Sequence, residues 1–440
     1  MKINFLTILS FLFISQICFS QDIDIDKLDH YFDALEQSNK FMGNVAVSQD
    51  GELIYINTIG FSDIENSQKA DTQTKYRIGS ISKTFTSVLV LKAVEEHKLK
   101  LNQTLEKYFP KLKNADKITI QHLLMHRSGI PNITNDKDYL KWNTQAKTEK
   151  ELTELISESG SDFEPDQKAE YSNSNFILLT FILEKTFQKS YAQLLQSYII
   201  KPLELKNTKL GSSINTTENE SLSYHFDGKD WALENETDMS IPLGAGSIVS
   251  IASDLVQFSD ALFNGELLKE ESLYLMQKTK DNFGMGLFET PFYNKMGYGH
   301  TGGIDGFAST FSHFSDGKIS YALVSNASTY NLNKISIAVL SAIYQKPYEI
   351  PEFSSYKVNP EELDDYLGVY ASNELPLKIT VSKENKTLIA QATGQSAFPL
   401  EATEKDKFKF DQASLVIEFQ PAENTLTLFQ GGGEYKFTKE

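Results

Sequence analysis

YRIGSISKTFTS, residues 76–87, places Ser80 and Lys83 three positions apart at the start of a long apolar stretch. Residues three apart in the first turn of a helix share one face, so the hydroxyl and the amine are expected to lie together. The continuation TFTSVLVLKAVEEHKLKL predicts a buried helix, because its apolar residues recur at helical spacing: Phe85, Val88, Leu89, Leu91 and Val94.

The residue types at Ser80 and Lys83 suit nucleophilic catalysis. A serine hydroxyl is a poor nucleophile until a base removes its proton, and burial can lower the pKa of a lysine until its amine serves as that base. Free backbone N–H groups at a helix N-terminus can also stabilise a developing oxyanion. The alternative is a serine that only caps the helix.

Spacing alone is weak evidence, because the same S-x-x-K pattern occurs at Ser315/Lys318 and at Ser354/Lys357. Ser315 begins an Asp-Gly turn signal, and Ser354 lies in a proline-bearing segment. Neither serine precedes a buried helix. The interpretation of Ser80 therefore depends on partners elsewhere in the chain.

A second segment, AEYSNSNF, places Tyr171 and Asn173 at a predicted turn before another buried helix, EYSNSNFILLTFILEKTF. A tyrosine beside a lysine ammonium can have its pKa lowered and act as a general base or proton relay. The asparagine amide can hold a substrate carbonyl or the lysine. The alternative is a capping asparagine beside a packed tyrosine, since another Y-x-N, at Tyr55/Asn57, lies within a predicted strand.

A third segment, GHTGGIDGF, contains His300, Thr301 and Gly302, the only H-x-G in the chain, at a predicted strand edge. Glycines in a strand allow another backbone, such as that of a substrate, to approach closely. The alternative is an ordinary glycine-rich hairpin.

The composition sets limits on the class of protein. The 440 residues predict two or three domains, or one large domain plus an appendage, and 40% hydrophobic with 12% aromatic residues can form a large core. A formal net charge of −17 makes a nucleic-acid partner unexpected.

The first twenty residues, MKINFLTILSFLFISQICFS, predict a secretory signal. Lys2 precedes an apolar run from Phe5 to Ile14 that is too short to span a bilayer comfortably, and cleavage is expected after Ser20. Cleavage would remove Cys18, the only cysteine, and leave a periplasmic or secreted protein without a transmembrane span, disulfides or thiol chemistry. Lipid modification of that cysteine and an uncleaved anchor are the alternatives.

The remaining patterns predict strands at both ends of a helical region, an α/β (α+β) architecture with a mixed antiparallel sheet. A helix is expected over Leu28 to Lys40, and alternating apolar residues flank a hairpin signal at Asp50-Gly51. Thr119 and Ser253 are expected to cap two further helices. Residues 132–166 are polar with helical spacing, and the H-x-G segment should enter a glycine-rich turn.

Taken in this order, the three sites resemble the S-x-x-K, Y-x-N and K-T-G motifs of the serine β-lactamase/penicillin-binding-protein superfamily. The class C β-lactamase-related branch is the most similar, over roughly Leu28 to Gln345, through MGNVAVSQDGELIY, YRIGSISKTFTS, ITIQHLLMHRSGIP, GAGSIVSIASDLVQF and GHTGGIDGF. The resemblance implies a mixed antiparallel sheet flanked by helices, a helical lobe, a cleft between them, and no metal or cofactor.

The resemblance also implies roles for the motif residues. Ser80 would be the acylated nucleophile, Lys83 and Tyr171 would share proton transfer, and Asn173 would hold the amide or ester side of the substrate. The backbone N–H groups of Ser80 and Gly303 would form the oxyanion hole.

His300, Thr301 and Gly302 would line the substrate along an edge strand, but here the third motif is H-T-G rather than K-T-G. A lysine would supply a permanent charge for a substrate carboxylate, whereas a histidine is mostly neutral near pH 7. H-x-G resembles the family's D-aminopeptidases, some carboxypeptidases and several esterases, and it argues against efficient β-lactamase activity.

The last eighty residues differ in character. A proline-bearing linker over 347–360 is followed, over 361–440, by short strands that predict a small antiparallel sandwich or barrel without a catalytic cluster. This segment resembles the lipocalin-like β-domain often appended to such hydrolases. The predicted order is therefore a signal peptide over 1–20, a hydrolase domain over 21–346, the linker and the β-domain.

The sequence thus predicts an exported serine hydrolase that acts through an acyl-enzyme on Ser80 and cleaves small amides, esters or peptides, including cell-wall peptides and peptides with D-residues. One alternative is a penicillin-recognising enzyme, either a β-lactamase or a DD-carboxypeptidase. Another is a non-catalytic protein that binds peptidoglycan or peptides on the same fold. The oligomeric state stays open.

Overall fold

A computed structural model of the chain describes residues 23–227, 230–353, 356, 359, 361–384 and 386–440. The predicted signal peptide, including Cys18, lies outside the described residues. So does part of the predicted linker, including Ser354 and Lys357. Within the described ranges, none of the helices combines the length and apolar composition needed to cross a bilayer.

Ten α-helices of the described chain surround or adjoin its main sheet. They are α1 (Ile25–Gln37), α2 (Ser82–Glu95), α3 (Ile120–Leu124), α4 (Tyr139–Trp142), α5 (Glu149–Glu158), α6 (Asn173–Phe187), α7 (Tyr191–Leu195), α8 (Ala252–Phe263), α9 (Glu270–Gln277) and α10 (Leu332–Ile343).

The first thirteen strands of the described residues form the main sheet and several small ribbons. They are β1 (Phe41–Gln49), β2 (Glu52–Ile59), β3 (Phe61–Asp63), β4 (Gln68–Lys69), β5 (Tyr76–Arg77), β6 (Lys209–Leu210), β7 (Tyr224–Phe226), β8 (Trp231–Leu233), β9 (Ile248–Ser250), β10 (Phe288–Phe292), β11 (Lys295–Ile304), β12 (Phe307–Phe314) and β13 (Ile319–Ser328). The main sheet is antiparallel with strand order β10-β11-β12-β13-β1-β2.

Side-chain alternation along the central strands places apolar residues on both faces of this sheet. Val45 and Val47 of β1 pack with α1 and α10 on one face, whereas Ala46 joins the core formed with α2, α6 and α8 on the other. The period of two residues in a strand makes this division necessary. The predicted hairpin is confirmed, since β1 and β2 pair with Gln49 opposite Glu52 across the Asp50-Gly51 turn.

The helical lobe is built around α2 and α6. Ten consecutive residues of α6, from Ser174 to Leu183, are buried, and α2 is buried on almost every face. A helix that is apolar all round requires such an interior position. Each of these two helices begins at a predicted motif, so the core of the lobe positions Ser80 and Asn173.

The C-terminal segment forms a closed eight-stranded antiparallel barrel, which confirms the barrel alternative over the sandwich. Its strands are β14 (Gly368–Ala371), β15 (Lys378–Glu384), β16 (Thr387–Ala392), β17 (Phe398–Glu404), β18 (Lys407–Phe410), β19 (Leu415–Gln420), β20 (Thr425–Gln430) and β21 (Gly433–Lys439). Its interior is filled by aromatic and aliphatic side chains such as Phe408, Phe419 and Phe437. The predicted limits of the linker stay predictions.

The predicted α/β (α+β) class is confirmed, with corrections in detail. The first helix is α1 over Ile25–Gln37, because Asp24 caps it by accepting the N–H of Lys27. Ser253 is not a cap, since α8 already begins at Ala252 and the preceding residue contributes no side-chain cap.

Two further segments differ from expectation. The polar stretch over 132–166 forms only the short helices α4 and α5 and one 3₁₀ turn. The glycines of H-T-G-G lie within β11. The turn follows the end of this strand at Ile304, and Asp305 in the turn has a positive φ of 53°.

Candidate active site

The geometry at Ser80 depends on a sharp change of direction between β5 and α2. Gly79–Ile81 forms a single 3₁₀ turn that leads directly into α2. Gly79 has a positive φ of 50°, and a Cβ there would lie 2.7 Å from the backbone nitrogen of Gly303. Only glycine accommodates both constraints, and this close approach brings β11 beside the nucleophile.

Lys83 is fully buried, and three oxygen atoms surround its amine. Its Nζ lies 2.9 Å from Ser80 Oγ, 2.7 Å from Asn173 Oδ1 and 2.7 Å from the carbonyl oxygen of Ala245. No carboxylate pairs with Lys83 among the ion pairs of the described residues. Burial therefore lowers the pKa of Lys83 well below its ordinary value of 10.5.

The contacts of Lys83 are compatible with a neutral amine that acts as a base. The oxygens of Asn173 and Ala245 can only accept hydrogen bonds, so each takes one N–H of the amine. A neutral amine then has one lone pair left, and the remaining contact is Ser80 Oγ, whose proton it can accept.

Tyr171 completes the contacts of the Ser80 hydroxyl. Its OH donates to Ser80 Oγ at 2.7 Å, and its ring centroid lies 4.8 Å from Lys83 Nζ. The expectation that the pKa of Tyr171 is lowered is wrong for this geometry, because burial raises that pKa above 10 and outweighs the hydrogen bond to Ser80. Tyr171 is therefore a protonated donor here.

Asn173, the first residue of α6, holds the lysine rather than presenting a free amide. Its Oδ1 accepts from Lys83, and its Nδ2 donates to Thr134 Oγ1 at 3.1 Å. Its backbone N–H donates to the Asn132 side chain at 3.1 Å. Of the two roles predicted for this amide, the structure shows the contact with the lysine.

The H-T-G segment lies on β11. It begins one residue beyond the last pairing of β11 with β10, which joins Gly299 to Phe288. His300 is buried, and its Nδ1 donates to the carbonyl of Thr301 at 2.5 Å. Burial, with the nearby Lys83, lowers the pKa of His300 to about 3, so the ring is neutral.

The two residues after His300 differ in exposure. The Thr301 side chain is exposed, whereas a Cβ on Gly302 would lie 2.1 Å from the carbonyl oxygen of Ile78. Gly302 thus allows β11 to pack against the approach to Ser80. Gly303 is exposed beside Gly79, which is compatible with its predicted place in an oxyanion hole.

A cavity of about 510 Å³ opens at Ser80. Of the predicted site residues, Ser80, Asn173 and Gly303 line it. Lys83 and Tyr171 are not among its lining residues but contact Ser80 Oγ. His300, Thr301 and Gly302 are not among the lining residues of this cavity, and their predicted position along the substrate stays a prediction. The other walls come from the α4 segment, the loop after β8, the loop before β9 and the β11–β12 turn.

Sequence reasoning missed three contributors to the site, Ala245, Thr134 and His126. Ala245 acts through a backbone carbonyl, which has no residue-type signature. Thr134 and His126 flank the R-S-G-I-P stop of the segment that follows α3. The left-handed backbone of His126, with φ of 55°, is unusual for a non-glycine residue and marks a constrained position.

No group of three or more His, Cys, Asp or Glu side chains in the described part of the chain is arranged to hold a metal ion. The Ser80 hydroxyl contacts the Lys83 amine and the Tyr171 hydroxyl.

Comparisons with known proteins agree with this arrangement. The family model described as beta-lactamase matches residues 28–343. Penicillin-binding protein 4* of Bacillus subtilis (strain 168) is 23% identical over 445 residues, covering 92% of this chain and 97% of that protein.

Two further matches come from other bacteria. A teichoic acid D-alanine hydrolase of Staphylococcus aureus (strain NCTC 8325 / PS 47) is 26% identical over 295 residues, covering 65% of this chain and 70% of that protein. The crystal structure of a D-stereospecific amidohydrolase from Streptomyces sp. has a TM-score of 0.59 and 29% identity, covering 68% of this chain and 94% of that chain.

Proposed function

We propose, from the premise that this chain belongs to the beta-lactamase family and is a serine hydrolase, that it is exported and cleaves small amides, peptides or esters through an acyl-enzyme on Ser80. The observation that carries this proposal is the buried amine of Lys83, 2.9 Å from the Ser80 hydroxyl and without a carboxylate partner among the described ion pairs.

In the acylation step, Lys83 Nζ accepts the proton of Ser80 as Oγ forms a bond to the substrate carbonyl carbon. The N–H groups of Ser80 and Gly303 stabilise the oxyanion that results. The bond to the leaving group then breaks, and the leaving group takes a proton through Tyr171 or Lys83. Tyr171 suits this donation, because its hydroxyl is protonated and lies 2.7 Å from Ser80 Oγ.

In the deacylation step, a water molecule attacks the acyl carbon while the Lys83–Tyr171 pair accepts one of its protons. The bond to Ser80 Oγ breaks, and the hydroxyl recovers its proton from the same pair. The products are the free acid and the resting enzyme.

Within this substrate range, the cavity favours substrates with a free amine over substrates with a carboxylate. The Glu234 carboxylate lines it, whereas the Asp305 carboxylate, also in the wall, is paired with Arg77 at 2.9 Å. No Lys, Arg or His is among the lining residues that the structure describes. The neutral His300 supplies no charge either. The relatives named for D-alanine hydrolysis and D-stereospecific amide hydrolysis support D-aminoacyl esters and amides as the substrate class.

Penicillin recognition is the second candidate. It is favoured by the similarity to penicillin-binding protein 4* across nearly the whole chain. Turnover of a penicillin at a rate comparable to that of a D-alanyl ester would support it.

Export rests on the predicted signal over residues 1–20, and N-terminal sequencing of the protein from culture fractions tests it.

The direct test of the proposed function is intact mass after incubation with a fluorophosphonate and, separately, with a penicillin. Wild type should gain one phosphonyl group, which Ser80→Ala abolishes. The matched control is Ser315→Ala, which removes the exposed serine of another S-x-x-K pattern and should leave labelling unchanged. No adduct on folded wild-type protein would exclude the acyl-enzyme and support a binding function. A stable penicilloyl adduct would support the second candidate.

A further inference from the structure

A histidine that the proposed mechanism does not use lies directly behind Tyr171. His126 is 1% exposed, and its ring stacks on the ring of Tyr171 with centroids 4.5 Å apart and an interplanar angle of 27°. Its Nδ1 accepts the backbone N–H of Ser172 at 3.1 Å, and its backbone carbonyl accepts the N–H of Glu170 at 2.9 Å. His126 therefore contacts three consecutive residues centred on Tyr171.

These contacts determine the tautomer of His126. Because Ser172 N–H is a donor, Nδ1 carries no proton and the neutral ring carries its proton on Nε2. This Nε2 is buried without a hydrogen-bond partner among the described atoms. A buried unpartnered donor is destabilising, and phenylalanine would fill the same space without that penalty. Packing alone does not explain a histidine here.

The surroundings of His126 prevent its ring from moving away from Tyr171. Phe176 and Phe283 each place a ring centroid 5.3 Å from the His126 ring. The imidazole is thus packed between these two rings and its third aromatic neighbour, the tyrosine whose hydroxyl touches Ser80.

We propose that His126 is a positioning residue for acyl transfer. Its ring face sets the plane of the Tyr171 ring, and its Nδ1 sets the backbone of the following residue. Together they hold the Tyr171 hydroxyl 2.7 Å from Ser80 Oγ. The proposal rests on the proposed function, because it assigns a role relative to Ser80 and Tyr171.

Two variants of His126 separate its two contacts. His126→Asn keeps an acceptor near the place of Nδ1 and removes the ring, whereas His126→Phe keeps the ring face and removes the acceptor. Each should slow fluorophosphonate labelling of Ser80 by about 10- to 100-fold, since a small displacement of a catalytic group has effects of this size. The control His122→Asn, on α3 away from Tyr171, should label at close to the wild-type rate.

A double-mutant cycle distinguishes positioning from a general loss of structure. A Tyr171→Phe variant keeps Lys83 beside Ser80, so we expect it to label, more slowly than wild type. In this background the His126 substitutions should cause no further decrease, because the hydroxyl that they misplace is absent. Each labelling rate is divided by the fraction of that variant that is folded, so that partial unfolding does not count as slow labelling.

Wild-type labelling rates in both His126 variants, or an equal loss with and without the Tyr171 hydroxyl, would overturn the proposal. Failure of both variants to fold would also overturn it, by showing that the fold rather than Tyr171 needs this histidine. Absence of labelling in wild type would instead refute the proposed function itself, so the two failures are distinguishable.

Discussion

Two buried basic side chains lie six positions apart in this chain, and they differ in whether carboxylates are among their partners. Arg77 is 2% exposed and donates to the carboxylates of Asp305 and Glu236, the former at 2.9 Å. Lys83 is fully buried and contacts a hydroxyl, an amide oxygen and a backbone carbonyl, with no carboxylate among the described ion pairs.

The difference separates a charged arginine that supports the structure from a lysine whose amine can be neutral. A buried guanidinium with two carboxylates keeps its charge and ties β5 to the β11–β12 turn, so Arg77 holds the wall of the cavity. A buried amine with only neutral partners loses its proton easily, so Lys83 can accept the Ser80 proton. Changes that make one site resemble the other test this account.

The largest effect is expected when Lys83 is replaced by arginine. A guanidinium does not release its proton in proteins, so Lys83→Arg replaces the neutral base by a permanent cation. Labelling of Ser80 by a fluorophosphonate should fall by about 10³-fold or more, within the range of general-base effects. Intact-mass measurement of samples quenched at successive times gives the rate. A loss of less than about tenfold would mean that another group deprotonates Ser80.

Removing a carboxylate from the arginine site should reduce stability. Asp305→Asn leaves Arg77 buried with one fewer partner, and the free energy of unfolding should fall by about 3 kcal/mol. Denaturation in urea measures it. The matched variant Glu236→Gln should cost less than about 1 kcal/mol, since the Glu236 side chain is 37% exposed and screened by water. Equal losses would contradict the distinction between the two partners.

Adding a carboxylate to the lysine site should make it resemble the arginine site. Asn173→Asp places a negative charge where the amide oxygen lies 2.7 Å from Lys83 Nζ. This raises the pKa of Lys83, so less of the neutral amine exists at pH 7 and labelling should fall by about 10- to 100-fold. The rate should recover at higher pH.

The control for this variant is Asn135→Asp, an exposed substitution of the same charge in a neighbouring loop, which should leave the pH profile unchanged. A profile for Asn173→Asp that coincides with wild type would show that Lys83 does not sense this position.

The smallest effect concerns the substrate amine. Glu234→Gln removes a carboxylate from the cavity wall, and KM for a D-alanyl ester with a free amine should rise about five- to tenfold. The N-acetylated ester, which carries no charge, should be unaffected. Parallel changes for both esters would indicate altered cavity shape rather than charge recognition.

Residue patterns predicted the elements that depend on local order. The hairpin at Asp50-Gly51 and the helices after Ser80 and Tyr171 follow from periods of 2 and 3.6 residues. Closure of the C-terminal barrel requires β14 to pair with β21, and local alternation does not encode such a distant pairing. The sequence therefore predicted a sandwich or barrel without deciding between them.

The candidate site was predictable where it uses side chains in short motifs. Ser80, Lys83 and Asn173 meet as expected, whereas the carbonyl of Ala245 arrives from 162 positions beyond Lys83. The wrong direction for the pKa of Tyr171 has a similar cause, since a motif indicates neighbours but not the degree of burial that dominates the shift.

The central claim is that Lys83 acts as a neutral base, and the pH dependence of Ser80 labelling tests it most directly. Burial raises the pKa of Tyr171 above 10 and lowers that of His300 to about 3, so neither should titrate near neutrality. The labelling rate should rise through one deprotonation and level off well below pH 10.5, because the lowered pKa keeps Lys83 neutral there. A rate that keeps rising until pH 10.5 would show an ordinary, charged lysine and would contradict the account.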